Sequence, residues 1–246
     1  MTMETIQYIF VLIVTLCISA MTLLTGFGIG TVLTPTFALL YDVKTAIFLV
    51  AIVHIANNFL KFGLFFRSLD KKILLRFGGL SLAGSFAGSL LYGTVDESVL
   101  KILLGLFLVV VGISEFLPSL FEKKIPQRYD IIGGLLSGFM GGLIGNQGAI
   151  RSAYLLNYNL SKEAFIATAT GISLIIDLTR IPMYVWKEMH LFSGMWSNLL
   201  PVILIAFVGT LVGKQLLKRI SLERFRLIVA GFVMIVGLAF LIQSFS

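Results

Sequence analysis

The chain has 246 residues, 58% hydrophobic and 13% charged, about half the charged fraction of an ordinary soluble domain. That balance excludes a water-soluble globular enzyme and leaves a polytopic membrane protein. The net charge of +7 is then the excess of Lys and Arg that gathers on a cytoplasmic membrane face and not a nucleic-acid footprint, and the single cysteine, Cys17, excludes a disulfide framework or a cysteine metal cluster.

In chain order, residues 6–25 form a first apolar helix. No Lys or Arg precedes Tyr8, so the basic leader of a signal peptide is missing and the segment reads as a retained span. It runs into Thr25-Gly26-Phe27-Gly28-Ile29-Gly30-Thr31-Val32-Leu33-Thr34-Pro35. Glycines at alternate positions free the backbone, and Pro35 removes an amide donor and disfavours helical continuation from Thr34. In hydrocarbon such a break persists only where the opened backbone is buried in protein or lines a wet cavity.

A short arm continues through Leu40, and helices are predicted over 45–66, 74–92 and 99–117. Residues 119–129 form a charged linker. The plan then repeats: a Gly-rich hairpin over 131–157 with its break between Gly138 and Gly148, then helices over 162–186, 191–217 and 222–242. Gly30 matches Gly148, Ala46-Ile47-Phe48 matches Ala164-Phe165-Ile166, Gly84 and Gly88 match Gly209 and Gly213, and Gly112 matches Gly237. The expected organisation is therefore a first membrane repeat over 1–118, a cytoplasmic linker over 119–129 and a second repeat over 130–246.

Charge decides how the halves are related. If each Gly-rich segment crosses the membrane once, the short loops hold eight basic residues on either side. If each is a hairpin that returns to its starting side, thirteen fall on one side and three (Lys44, Lys101, Lys187) on the other, with Lys61, Arg151 and Arg180 left in the membrane; these account for all 19. The hairpin reading gives an all-α polytopic fold of two inverted repeats. Each is a Gly-rich broken, re-entrant helix hairpin followed by three transmembrane helices, and both termini lie outside the cytoplasm.

Ionisable groups within a bilayer cost on the order of 3 kcal/mol each, so each needs a reason. His54, Asn57, Asn58 and Lys61 share one face of the helix after the first hairpin; Thr170, Ser173, Asp177 and Arg180 do so in the matching helix. Two such stripes facing each other would make a polar cavity near the midplane. Lys61 either joins it or snorkels past Arg67 to the surface. Asp177 and Arg180 either touch a substrate or neutralise each other. His54 is either a packing residue or a proton-coupling candidate, its unperturbed pKa being about 6.5.

Arg151, just past the second break, is too deep to snorkel easily, and a guanidinium suits bidentate oxyanion binding. Asn146, Gln147 and the amides at Gly148, Gly28 and Gly30 could add donors at helix starts, and the hydroxyls of Thr25, Thr31 and Thr34 either donate near the first break or back-bond to helix carbonyls. Phosphate-loop, metalloprotease and serine-hydrolase motifs are all missing. The sequence calls for no cofactor, no metal and no nucleic-acid partner. It calls for a small anionic substrate, a lipid bilayer and a possible homo-oligomer, with a channel or accessory membrane component as the alternative.

The block Gly26-Phe27-Gly28-Ile29-Gly30 with Pro35, and the block Gly134-Leu135-Leu136-Ser137-Gly138-Phe139-Met140-Gly141-Gly142-Leu143-Ile144-Gly145, resemble the Gly-rich signatures of the TauE/SafE sulfite exporter family. The resemblance covers about residues 8–243. It implies a bacterial inner-membrane permease, without enzymatic activity, that moves sulfite, thiosulfate, sulfoacetate or related small anions, commonly outward. The second break departs from the pattern, reading Asn146-Gln147-Gly148-Ala149-Ile150-Arg151-Ser152 with no proline.

Overall fold

The computed structural model describes residues 3–25, 28–118, 125–188, 196–216 and 223–245. Among them the regular structure is helical throughout. The first half supplies α1 (Met3–Thr25), α2 (Gly30–Ala38), α3 (Val43–Phe65), α4 (Lys71–Tyr92) and α5 (Glu97–Phe116). The second supplies α6 (Asp130–Ile144), α7 (Gly148–Leu155), α8 (Lys162–Lys187), α9 (Trp196–Leu216) and α10 (Glu223–Phe245). Seven of these (α1, α3, α4, α5, α8, α9 and α10) are long and apolar enough to cross a bilayer. Gly26, Phe27 and most of the expected linker, 119–124, lie outside the described residues.

Helix starts follow local chemistry. Asp42 accepts from the amide of Thr45 at 2.8 Å, Asp70 from Ile73 at 3.0 Å and Ser161 from Ala164 at 3.2 Å, capping α3, α4 and α8. The Asp70 cap starts α4 three residues before the predicted position. Each break turns on one glycine in the left-handed region, Gly28 at φ 78° and Gly145 at φ 75°, and no other described residue has positive φ.

One local expectation is corrected. Pro35 does not stop the chain: α2 continues through it to Ala38. The chain has already turned at Gly28, so the proline removes a single ladder bond inside a short buried helix, and the Thr36 hydroxyl donates to the carbonyl of Val32 at 2.7 Å.

Both Gly-rich segments are hairpins whose second arm returns to the side it left. Phe37, Leu40 and Tyr41 at the end of α2 come back beside Thr5, Tyr8 and Val11 at the start of α1. Tyr158, just past α7, hydrogen-bonds Asp130 at the start of α6. The first hairpin opens beside Leu49, near the start of α3, whereas the second opens beside Arg76, beyond its end.

Packing partners exchange between the halves. α4 lies along α6 and α9 along α1; α5 pairs with α10 and α3 with α8. Glycine permits the first two approaches. A Cβ on Gly84 or Gly88 would stand 2.1 or 2.2 Å from the carbonyl oxygens of Leu135 and Phe139. On Gly209 or Gly213 it would stand 2.5 or 2.0 Å from those of Leu16 and Ala20. The predicted matches of Gly84 with Gly209 and Gly88 with Gly213 are thus matches of environment. Gly112 and Gly237 agree likewise, the first against Ala230 and Met234, the second against Gly105 and Val109.

The two hairpin mouths differ. Between α1, the end of α2, α3 and the start of α9 lies a cavity of about 540 Å³. The corresponding place in the second half is filled by Ile73, Phe77, Leu155, Tyr154 and Tyr158. It is tied by Tyr158 to Asp130 and by Arg76 Nε at 3.4 Å from the same carboxylate.

Candidate functional site

The two breaks meet in the middle of the bundle. A Cβ on Gly30 would lie 2.7 Å from the carbonyl oxygen of Gly145, so the start of α2 rests directly on the second break. A Cβ on Gly28 would lie 3.7 Å from Cα of Gly148. Around this crossing the described residues carry one carboxylate, Asp177, and three cations, Lys61, Arg151 and Arg180, all buried.

Asp177 is saturated. Asn58 Nδ2 donates to its Oδ2 at 2.8 Å, and the Nδ1 of His54 lies at the same distance from that oxygen. Arg180 approaches Oδ1 with Nε at 3.0 Å and Nη2 at 2.9 Å. Carboxylate contact assigns the histidine proton to Nδ1, which turns Nε2, as a bare acceptor, toward Gly28. Arg180 also donates to the carbonyl of Gly141 at 2.9 Å, and Tyr184 donates to that of Gly142 at 2.5 Å. Both carbonyls belong to the last turn of α6, where the helix has exhausted its own donors.

Among the described residues, Lys61 and Arg151 have neutral partners only. Lys61 donates to Thr22 Oγ1 at 3.1 Å. The Asn57 amide, oriented to suit its neighbours, accepts from Lys61 at 3.2 Å and donates to the carbonyl of Ala206 at 3.3 Å. Arg151 donates to the hydroxyl of Ser173, and its Nε has no partner among the described residues.

These two cations line one small cavity of about 30 Å³, roughly twice what a single water needs. Thr22, Gly28, His54, Asn58, Thr170 and Ser173 complete its polar wall, with Phe165, Ile166 and Ala169 on the apolar side. No carboxylate is among its lining residues as far as the described residues go.

The family model for the sulfite exporter TauE/SafE matches residues 11–240. The chain belongs to this family. A probable membrane transporter protein of Methanocaldococcus jannaschii is similar to it, with 22% identity over 242 residues, covering 88% of this chain and 89% of that one. No solved structure matches. The protein is therefore a multi-pass membrane protein of a transporter family.

Within this TauE/SafE chain the predicted site residues divide. Gly28, His54, Asn58 and Arg151 line the cavity. Asp177 and Arg180 stand behind its wall as each other's partners, and Asn57 joins Lys61 to Thr210 and Ala206 on α9. Gly30 and Thr31 are buried in the first turn of α2, and Gly148 begins α7. Asn146 and Gln147 are buried at the second break, and three of their side-chain polar atoms lack a partner among the described residues.

Lys61 does not snorkel: its ammonium turns inward to Thr22, and the residue is 5% exposed. Thr22 and Tyr184 were not singled out by sequence. The signal for Thr22 is its place one turn before the first break. Tyr184 lies four residues past Arg180, on the same helical face.

Proposed function

We propose that the protein is a secondary transporter of a small oxyanion, with sulfite or a related sulfur oxyanion as the best fit. One observation carries this: among the described residues, a small cavity between buried side chains is lined by Lys61 and Arg151 and by no carboxylate. Two unneutralised cations in a bilayer-embedded core are costly without a negative partner. A guanidinium, an ammonium, the Asn58 amide and the hydroxyls of Thr170 and Ser173 make a donor-rich wall for such a partner. At about 30 Å³ the cavity favours a compact inorganic anion over an extended organosulfonate.

In this reading the halves are inverted copies, both termini face the non-cytoplasmic side of a bacterial inner membrane, and transport proceeds by blocks of helices rocking against one another. The exchanged packing partners and the hairpins opening at opposite ends of α3 support it. So does the contrast between the open first mouth and the filled second one. Between them they describe one of two alternating arrangements. His54, with Nε2 toward the cavity, is the coupling candidate.

The test is exchange in proteoliposomes. Preloaded unlabelled sulfite should accelerate uptake of labelled sulfite, and uptake should saturate. Flux without such counterflow would indicate a channel. No flux of any small anion would refute the reading.

A further inference from the structure

The two halves place a basic side chain at equivalent positions, Lys61 on α3 and Arg180 on α8. Each reaches the end of the first helix of its own half. Lys61 donates to Thr22 Oγ1 at 3.1 Å and Arg180 to the carbonyl of Gly141 at 2.9 Å, and Thr22 and Gly141 are themselves equivalent. Three residues before each cation the halves differ in one respect. Arg180 has Asp177, at 2.9 Å; Lys61 has Asn58, which lies 119 positions before Asp177 and bonds to it directly.

The two cations consequently have different electrostatic fates. The charge of Arg180 is balanced behind the cavity wall. Among the described residues Lys61 keeps only a hydroxyl and an amide oxygen, and it lines the cavity together with Asn58. An isosteric carboxylate at position 58 would pair with Lys61 as Asp177 pairs with Arg180, and an entering anion would then have to displace it.

We infer that Asn58 sets the charge selectivity of the cavity. By standing where the other half carries a carboxylate, it leaves Lys61 uncompensated and available to an anion. This rests on the function proposed above. Selectivity then resides in a neutral residue, and two cations at equivalent spacing differ in what balances them.

Asn58→Asp alone would set two carboxylates against each other, and they would share a proton. The informative variant exchanges the pair, Asn58→Asp with Asp177→Asn, keeping composition, net charge and a hydrogen bond between the two positions. Purified protein in detergent is titrated calorimetrically with sulfite, thiosulfate, sulfate, sulfoacetate and acetate. The wild type should bind at least one, and the exchange variant should bind that anion about ten- to a hundredfold more weakly.

Unchanged affinity in a folded exchange variant overturns the inference and leaves the proposed function standing. A wild type that binds none of the five overturns the proposed function and this inference with it. If the exchange variant does not elute as a folded species, Lys61→Gln decides. The inference expects the same loss there, and wild-type affinity in Lys61→Gln overturns it.

Discussion

Arg180 on α8 places its Nη1 2.9 Å from the carbonyl oxygen of Gly141, closing the last turn of α6 from outside the helix. The same guanidinium holds Asp177, so one side chain fixes both the buried carboxylate and the approach to the second break. Arg180→Met should therefore destabilise the protein by about 3–5 kcal/mol, the usual cost of stripping one member from a buried pair. Tyr184→Phe, which loses the bond to Gly142 but leaves the Arg180–Asp177 pair in place, should cost about 1 kcal/mol. Reversible unfolding in mixed micelles measures both, and an Arg180→Met variant as stable as wild type would show that the pair carries no structural load.

Arg151 has Ser173 as its described hydrogen-bond partner, and its Nε is unengaged among the described residues. Replacing it with Gln removes a charge from the cavity without a large loss of volume. Anion affinity should fall about ten- to a hundredfold while the thermal midpoint without ligand stays near wild type. Arg151→Lys should recover part of the affinity, because the charge returns but the planar donor pair does not. Titration with sulfite, alongside unfolding in its absence, separates the two outcomes.

Close helix contact gives a third prediction. Gly213→Ala and Gly84→Ala drive a methyl group to 2.0 and 2.1 Å from backbone oxygens of the facing helix and should each destabilise by about 1–3 kcal/mol or more. A Cβ on Gly79 or Gly63 meets nothing within 4 Å, and alanine there should be neutral or stabilising by up to about 1 kcal/mol. Thermal midpoints of the four variants rank them, and equal midpoints would contradict the packing described above.

Alkaline stability tests the filled mouth. Burial, and then the hydrogen bond to Asp130, push the phenol of Tyr158 up to about 12 from its ordinary value near 10. The folded state thus favours the neutral phenol. Its contribution is complete below about pH 10 and is lost as pH rises through about 12. Unfolding midpoints should fall across that interval in the wild type and fall less in Tyr158→Phe. Parallel curves would show that the phenol plays no part there.

Reporter fusions test orientation. A periplasmic phosphatase joined after Ser246 should be active and a cytoplasmic fluorescent reporter there should be dark. The opposite result would reverse the orientation assigned from the thirteen-to-three charge bias.

Much of this architecture was legible because a membrane chain uses few residue types freely. Glycines at alternate positions in an apolar run had to mark opened backbone, and the two turns indeed rest on Gly28 and Gly145. The polar stripes of α3 and α8 had to face one another, and His54, Asn58, Ser173 and Asp177 do meet or share one cavity wall. The direction taken by Lys61 was not legible. It lies six positions before Arg67, a distance its flexible stem could bridge toward the surface as easily as toward Thr22. Only the tertiary position of the end of α1 decides. Pro35 misled for a related reason: local sterics speak against a helix there, but the turn had already been made upstream.

Gly84 and Gly88 bring α4 onto the carbonyls of α6, and Gly209 and Gly213 bring α9 onto those of α1, with no side chain between them. Contacts of backbone on backbone tolerate little sliding. Each broken helix is thereby yoked to a rod from the other half: α6 to α4, α1 to α9. Whatever motion carries a solute past the crossing of the two kinks must move these couples as stiff levers, so the give in the machine has to come from the seams between them.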